Sequence, residues 1–412
     1  MKLKCGLLGE KLSHSYSPRI HAELGNYEYL LCEKAPEEVG DFIRHGDYAG
    51  MNVTIPYKKT VLGLMDELSP TARATGSVNT VIRGKDQSLF GDNTDVYGFT
   101  RLVEKSGANL KNKKVLVLGS GGSSLSVVHA LNQMGARPVV ISRSGENNYT
   151  NLSLHADARA VVNTTPLGMY PENGRQALSL RLFPHLEAVL DLIYNPAHTA
   201  LLLEADELGI PAENGLYMLV MQAKKSSELF TGVKIDDAKA EKVYSTLESK
   251  MKNIALIGMP GCGKSSVAEK LALLTNREIL DCDGEVEHRS GLSAEKYILG
   301  RGEAEFRKLE TEILRDFSKR SGCILSTGGG CVTVEENYRL LKQNSFTVWL
   351  KRDPALLPTN GRPISRAEGV KALYAKRAPL YRRFADAEIE VGESAEETAR
   401  AVLKAIERKI DS

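Results

Sequence analysis

The sequence predicts an α/β protein of two or three domains whose largely parallel sheets are covered by helices. Three observations carry that reading. Apolar runs of strand length alternate with helical patterns along the whole chain, as parallel strands joined by helical crossovers require. Two glycine-rich turns, "VLVLGSGGSS" at 115–124 and "GMPGCGKSS" at 258–266, each follow a strand-like run and open a helix-like one. The 412 residues also exceed what one core ordinarily organises.

The expected strands, in order, are "KCGLLG", "GMNVTIP", "KKVLVLGS", "RPVVISR", "AVVNTTP", "AVLDLIY", "NIALIGMP", "CILSTGGG" and "FTVWLKR". Each is a short apolar run of strand length, so each reads as a buried strand. At 231–253, "TGVKIDDAKAEKVYSTLESKMKN" reads as a charged amphipathic helix ending just before a fresh strand at Asn253, which marks the main boundary. A polar connector at 99–114 marks a softer one. The expected domains are 1–100 with return helices at about 214–250, then 101–213, then 252–412.

Composition narrows the class. The chain is 42% hydrophobic and 26% charged with a formal net charge of +2, which excludes nucleic-acid binding by bulk charge. Its apolar runs fall well short of the ~18–20 residues a membrane span requires. The start, "MKLKCGLLGEKLSHS", lacks the apolar core of a secretory signal, so the expected location is cytoplasmic. Six cysteines form no C-x-x-C pair and sit near no histidine cluster, which argues for reduced packing thiols rather than zinc or disulfides.

In the first turn, Gly119, Ser120, Gly121, Gly122 and Ser123 would bring a pyrophosphate against a helix amino terminus, the arrangement of a Rossmann-like dinucleotide domain. Ser124 stands where the third glycine of that fingerprint falls. The next strand ends in Ser142 and Arg143 rather than in an acid, and an arginine there suits the 2′-phosphate of NADP(H).

The second turn fits G-x-x-x-x-G-K-[ST] in the required strand-to-helix context. The backbone of Gly261, Cys262 and Gly263 would cradle the phosphates of ATP together with Ser266, and Lys264 would reach the β and γ groups. The Ser265 hydroxyl would join a Mg2+ shell. The triplet Gly328, Gly329 and Gly330 signals a close backbone approach. Other polar residues stay open on residue type alone. Asp281 and Asp283 could cap the helix that follows, and Arg307 could belong to a solvated helix face.

Residues 1 to about 250 resemble shikimate dehydrogenase through "SHSYSPRIH", "MNVTIPYKK", "GSVNT", "GDNTD", "VLVLGSGG", "VNTTPLGM" and "NGLYMLVMQA". The resemblance implies that Lys58 and Asp95 are the catalytic pair and that Ser15, Ser17 and Tyr194 hold the substrate carboxylate. It also implies that Thr54, Asn79 and Gln222 bind ring hydroxyls and that Gly215 approaches the nicotinamide. An ammonium beside a carboxylate can supply the proton that a ketone needs once hydride has arrived. Without the resemblance, Lys58 would read as one exposed lysine of a "YKK" run, and Ser15 and Ser17 as caps of the helix beginning near Pro18.

Residues 252–412 resemble shikimate kinase, a nucleoside-monophosphate-kinase-like P-loop fold, through "LDCDGEVEHRSG", "GEAEFRKLE", "STGGGCV", "GRPIS" and "RAPLYRRFAD". By that resemblance Asp283 orients the accepting hydroxyl and Asp281 lies near the magnesium. Arg307, Arg382 and Gly329 contact the substrate carboxylate, and Arg362 is the lid arginine reaching the transferred phosphoryl. The two resemblances imply one bifunctional enzyme acting on the small molecules 3-dehydroshikimate and shikimate, with no nucleic-acid or membrane partner. The sequence is compatible with a homo-oligomer and does not choose an oligomeric state. Three rivals stand beside this reading: quinate and NAD in place of shikimate and NADP, a nucleotide-sensing P-loop module with weak or no kinase turnover, and a docking scaffold.

Overall fold

The structure, a computed structural model, describes residues 2–12, 15–358 and 363–410. Its contacts divide the chain into two compact units, Met1–Tyr194 with Thr199–Thr246, and Asn195–His198 with Leu247–Ser412.

The first unit contains two sheets. One is built from β1 (Lys4–Gly9), β2 (Glu28–Glu33), β3 (Gly50–Val53), β4 (Glu67–Leu68), β5 (Thr80–Arg83) and β6 (Leu89–Asp92), in the order β2-β1-β3-β5-β6-β4. β1 pairs in parallel with β2 and β3, but β3, β5 and β6 run antiparallel to one another. The sheet is therefore mixed, where a largely parallel one was expected. Only Gly84–Ser88 separates β5 from β6, and a parallel crossover needs a dozen residues or more, so this pair can only fold as a hairpin.

The other sheet, β7 (Lys114–Leu118), β8 (Arg137–Ile141), β9 (Ala160–Asn163), β10 (Ala188–Asp191) and β11 (Ala212–Glu213), is parallel in the order β11-β10-β9-β7-β8. The helix Gly122–Gln133 crosses from β7 to β8, whereas β8 reaches β9 through a loop with one short 3-10 turn, Leu152–His155. Strand order reverses on either side of β7, so the crevice a dinucleotide sheet offers opens at the carboxyl end of that strand. The three interior strands β7, β9 and β10 are buried, and Val115, Leu116, Val117 and Leu118 of β7 are all at 0% exposure.

The helix Asp237–Met251 leads into the second unit's first strand. That unit has one parallel sheet of β12 (Asn253–Ile257), β13 (Ile279–Asp281), β14 (Ile324–Ser326), β15 (Ser345–Lys351) and β16 (Ala387–Glu390), in the order β13-β14-β12-β15-β16. Trp349, the single tryptophan, is buried on β15 and stacks on Tyr381 at 5.6 Å between ring centroids. Truncating so large a buried ring typically costs about 3–5 kcal/mol. Among the described residues no helix is long and apolar enough to cross a membrane. The six cysteines are free, and burial pushes the Cys5 and Cys331 thiols up to about 12.

Candidate active sites

In the first unit, β3 and the helix Asp95–Lys105 bring a lysine and a carboxylate together. Lys58 follows β3 by five residues, and Asp95 occupies the first turn of its helix, where the helix amino terminus favours negative charge. Lys58 Nζ lies 2.6 Å from Asp95 Oδ2, with both side chains mostly buried. Asn79 Nδ2 donates to the other carboxylate oxygen at 2.8 Å. Thr94 N donates to Asn79 Oδ1 at 2.7 Å, so the amide has only one usable orientation. The Thr94 hydroxyl reaches Gln222 Oε1 at 3.5 Å, which places Gln222 at the same cluster.

A second group forms at the carboxyl end of β1. Ser17 N donates to Ser15 Oγ at 3.2 Å, and Tyr16, between them, meets the edge of Tyr194 at 6.1 Å. Burial pushes the Tyr194 phenol up to about 12, so it enters chemistry as a neutral donor. Thr54 is anchored beside this group through its backbone N–H to Leu8 O at 2.9 Å. Ser17 opens the helix Ser17–Leu24; the N-cap position is Tyr16, which makes no side-chain cap bond, and Ser15 Oγ takes the helix's first N–H instead.

The dinucleotide turn faces the lysine. Gly119 has φ +104°, a backbone region other residues rarely adopt, and a Cβ there would press on Thr164 and Thr165 at 2.9 Å. A Cβ at Gly121 would meet nothing within 4 Å, whereas one at Gly122 would come 3.9 Å from Lys58 Cδ. The turn is thus an open cradle with the catalytic-type lysine alongside, and the residues fit a pyrophosphate. Ser120 and Ser123 flank it on the surface, while Ser124 is buried and small enough to keep helix and sheet close. Asn163 and Thr164, which the sequence reading did not single out, brace it: Thr164 Oγ1 donates to Leu118 O at 2.6 Å, and Asn163 Nδ2 donates to buried Asp191 at 2.9 Å. Ser142 and exposed Arg143 end β8 beside Tyr149. Gly215 abuts the backbone after β10 so closely that a Cβ would lie 2.1 Å from Leu192 O.

In the second unit, one cleft of about 550 Å3 collects Gly261, Gly263, Lys264, Ser265, Ser266, Asp283, Arg307 and Gly329. Gly261 and Gly263 take φ +80° and +106°, which curls the loop over the start of the helix Lys264–Thr275. Lys264 Nζ is held at the neck of that loop by Gly258 O at 3.0 Å and Met259 O at 3.1 Å. Cys262 points the other way, into the core at 0% exposure, so only its backbone belongs to the loop.

The glycine triplet is explained by space. A Cβ on Gly328 would lie 2.0 Å from Glu310 Oε1, on Gly329 2.5 Å from the Pro260 ring, and on Gly330 2.1 Å from Arg307 Nη2. The triplet therefore lets the P-loop, Glu310 and Arg307 close on one backbone. Arg307 is not on a solvated face: Nη1 donates to Glu310 Oε2 at 2.5 Å, and Nη2 to Glu303 Oε1 at 3.2 Å. Burial opposes its charge, but Glu310 and Glu303 outweigh burial and hold the guanidinium above its ordinary range.

Arg382 requires a correction. It does not line the cleft; its side chain is 66% exposed, pairs with Glu388 at 3.0 Å and lies over the outer face of Trp349 at 5.8 Å. The arginine that faces the cleft from the same helix, Val370–Phe384, is Arg377, 3% exposed, with Nη1 donating to Gly329 O at 3.1 Å. Five residues along a helix turn through about 500°, so side chains at 377 and 382 point roughly 140° apart and cannot share one target. Tyr381, one turn on from Arg377, donates to the same Gly329 carbonyl. Asp281 caps the helix Cys282–Ser290, its Oδ2 accepting from Gly284 N at 3.1 Å, and is not among the residues lining the cleft. Arg362 lies outside the described residues. Arg352 and Phe306 also line the cleft.

The first unit is a dinucleotide-dependent oxidoreductase and the second a P-loop phosphotransferase. Comparison with known proteins gives the families. Residues 7–81 match the family model for the shikimate dehydrogenase substrate binding domain, and residues 260–407 match that for shikimate kinase. The shikimate dehydrogenase (NADP(+)) of Clostridium perfringens (strain SM101 / Type A) is 34% identical over 267 residues, covering 60% of this chain and 98% of that protein. A chorismate mutase/shikimate 5-dehydrogenase fusion protein from Clostridium acetobutylicum superimposes with a TM-score of 0.58 at 34% identity, over 61% of this chain and 98% of that one. Quinate dehydrogenase from Corynebacterium glutamicum, solved with NAD, gives a TM-score of 0.55 at 28% identity over 60% of this chain and 99% of its own. The chain belongs to the shikimate dehydrogenase family and carries a shikimate kinase domain behind that part.

Proposed function

We propose that this chain reduces 3-dehydroshikimate to shikimate with NADPH and then phosphorylates shikimate to shikimate 3-phosphate with ATP. The observation that carries the first step is the Lys58–Asp95 pair at 2.6 Å, with the lysine stem beside the dinucleotide turn. Bound NADPH would supply the hydride for the ketone carbon, and the Lys58 ammonium would donate the proton to the carbonyl oxygen that gains the electron pair. Asp95 orients that ammonium and Asn79 fixes Asp95. Ser15, Ser17 and Tyr194 hold the ring carboxylate, Thr54, Asn79 and Gln222 the hydroxyls, and Gly215 approaches the nicotinamide. Arg143 takes the 2′-phosphate.

For the second step, Asp283 orients the accepting hydroxyl, while Lys264 and the loop amides of 261–263 stabilise the charge on the transferred group. Arg307 and Arg377 hold the carboxylate from two helices, with Gly329 between them; forked guanidinium groups suit a carboxylate. Mg2+ would be held by the Ser265 hydroxyl, with Asp281 nearby, and would neutralise phosphate charge. By resemblance alone, Arg362 is assigned to the transferred phosphoryl group. We divide the chain into 1–100 with the helices of 214–250, 101–213 and 252–412, and place the protein in the cytoplasm.

Coupled turnover tests this reading. The full chain, supplied with 3-dehydroshikimate, NADPH, ATP and Mg2+, is expected to oxidise NADPH and consume ATP only when the keto acid is present, and to yield shikimate 3-phosphate. NADPH oxidation without ATP consumption would leave the P-loop unit as a nucleotide sensor. Initial rates with quinate and with NAD, compared with shikimate and NADP, decide between this assignment and the activity of the quinate-specific neighbour.

A further inference from the structure

Behind the Lys58–Asp95 pair lies a row of buried hydroxyl and amide groups that reaches the pair through Asn79. Its hub is Ser226, at 0% exposure on the helix Leu216–Thr231, one turn beyond Gln222. Ser226 Oγ lies 2.8 Å from Asn52 Nδ2 and 3.0 Å from each of Thr80 Oγ1, Thr94 Oγ1 and the Gln222 carbonyl. A hydroxyl has one proton and two lone pairs, so this one is saturated.

The proton directions follow from two fixed ends. Asn79 must turn Oδ1 to the Thr94 N–H and Nδ2 to the Asp95 carboxylate. Its Nδ2 also donates to Thr94 Oγ1 at 3.0 Å, and Thr80 Oγ1 donates to its Oδ1 at 2.9 Å. The Thr94 proton is then available to Ser226, which also accepts from Asn52 and donates to the Gln222 carbonyl. At the far end Tyr29 donates to Asn52 Oδ1 at 2.7 Å. In this assignment no proton bridges Thr80 and Ser226, whose protons go to Asn79 Oδ1 and the Gln222 carbonyl; the remaining bonds are all made, and such buried networks hold their members in one arrangement when complete.

We propose that Ser226 is a positioning residue for the dehydrogenase step: by fixing Thr94 it fixes Asn79, and through Asn79 it keeps Asp95 turned toward Lys58. The inference rests on the assignment of Lys58 and Asp95 above. Removing the Ser226 hydroxyl takes the shortest of three acceptors from the Asn52 amide, leaving Asn79 O at 3.3 Å and Thr80 Oγ1 at 3.2 Å, and frees the Thr94 proton to turn toward Asn79 Oδ1, 3.2 Å away. Asn79 Oδ1 then takes the Thr94 hydroxyl proton beside those of the Thr94 N–H and the Thr80 hydroxyl, which shifts the amide and its hold on Asp95 and slows proton delivery without removing a group assigned to the substrate.

The test compares the full-length parent, Ser226→Ala and Ser227→Ala, the last removing an equally buried serine hydroxyl from the same helix that takes no part in these bonds. Shikimate oxidation by NADP+ is measured for kcat and both KM values, and kinase turnover of the same preparation counts intact chains. For Ser226→Ala we expect kcat to fall about tenfold, with both KM values within about threefold, since small misplacements of reacting groups act on the chemical step. Ser227→Ala is expected to keep kcat within about twofold on the same argument. A Ser226→Ala enzyme with parental kcat, one with raised KM alone, or an equal loss in Ser227→Ala would overturn the proposal. If the parent itself does not oxidise shikimate, it is the functional assignment that fails. Should the alanine chain not accumulate, Ser226→Cys, which keeps the volume and weakens the acceptor, carries the same comparison.

Discussion

Lys58 Nζ stands 2.6 Å from Asp95 Oδ2, and the second oxygen of that carboxylate is engaged by Asn79 at 2.8 Å. The carboxylate is therefore held on one side and free to orient the ammonium on the other. This is a relation between residues 37 positions apart, brought together because β3 and β6 run in the same direction, so the loop after β3 and the start of the helix Asp95–Lys105 lie at the same end of the first sheet.

Replacing Lys58 by alanine removes the proton donor. Dehydrogenase kcat is expected to fall by about 10²–10⁴-fold, the usual worth of a positioned general acid. ATP turnover with shikimate, measured on the same protein, should not change. An unaltered reduction rate would remove Lys58 from the chemistry.

Arg377 and Arg382 make opposite predictions. Arg377→Ala should raise the kinase KM for shikimate at least about tenfold, as expected for loss of a charge-assisted hydrogen bond to a carboxylate. Arg382→Ala should leave it within about twofold, because an exposed pair such as Arg382–Glu388 contributes little. Steady-state kinetics of the two variants would reverse the assignment if Arg382 proved the sensitive one.

Arg143 sits exposed at the end of β8. Arg143→Ala should raise KM for NADP+ about tenfold or more and leave KM for NAD+ nearly unchanged, since only the former carries the 2′-phosphate. Equal changes for both cofactors would place the 2′-phosphate elsewhere.

His21 makes the first unit sensitive to acid. Its ring is fully buried, stacked 3.9 Å from Tyr29, and burial holds it down at about 3 against 6.5 for a free histidine. Below 6.5 the unfolded chain takes up a proton that the folded one refuses until about 3, so stability is complete above that window and is lost as pH falls through it. The slope is about 1.4 kcal/mol per pH unit. Urea midpoints for dehydrogenase inactivation between pH 7 and 4.5 should fall with pH for the parent and fall less for His21→Phe; parallel curves would exclude His21 as the cause.

Much of the fold is legible along the chain, and the strands that are legible share a reason. The runs read as strands, from "KCGLLG" to "FTVWLKR", are β1, β3, β7, β8, β9, β10, β12, β14 and β15, mostly interior strands buried on both faces and therefore continuously apolar. Those not read, such as β2, β4, β11, β13 and β16, lie at sheet edges, where one side faces no partner strand and the composition is mixed. The hairpin β5–β6 runs between the motifs "GSVNT" and "GDNTD", overlapping them at Thr80 and at Gly91–Asp92, and the motifs' polar residues serve the Asn79 and Asp95 cluster rather than a core.

The sequence by itself determined where backbone conformation is special and which chemistry is available: two glycine turns between strand and helix, a lysine behind "NVTIP", an acid pair and an arginine-bearing helix after the P-loop. Such features are local, because positive φ, capping and short-range spacing depend only on neighbouring residues. Tertiary structure decided which of those groups face one another. It turned Arg377 rather than Arg382 into the kinase cleft, used the glycine triplet to admit Glu310, Pro260 and Arg307, and joined Ser226 to Asp95 through Thr94 and Asn79. Those choices depend on helix phase and on packing between distant segments, which no local pattern encodes.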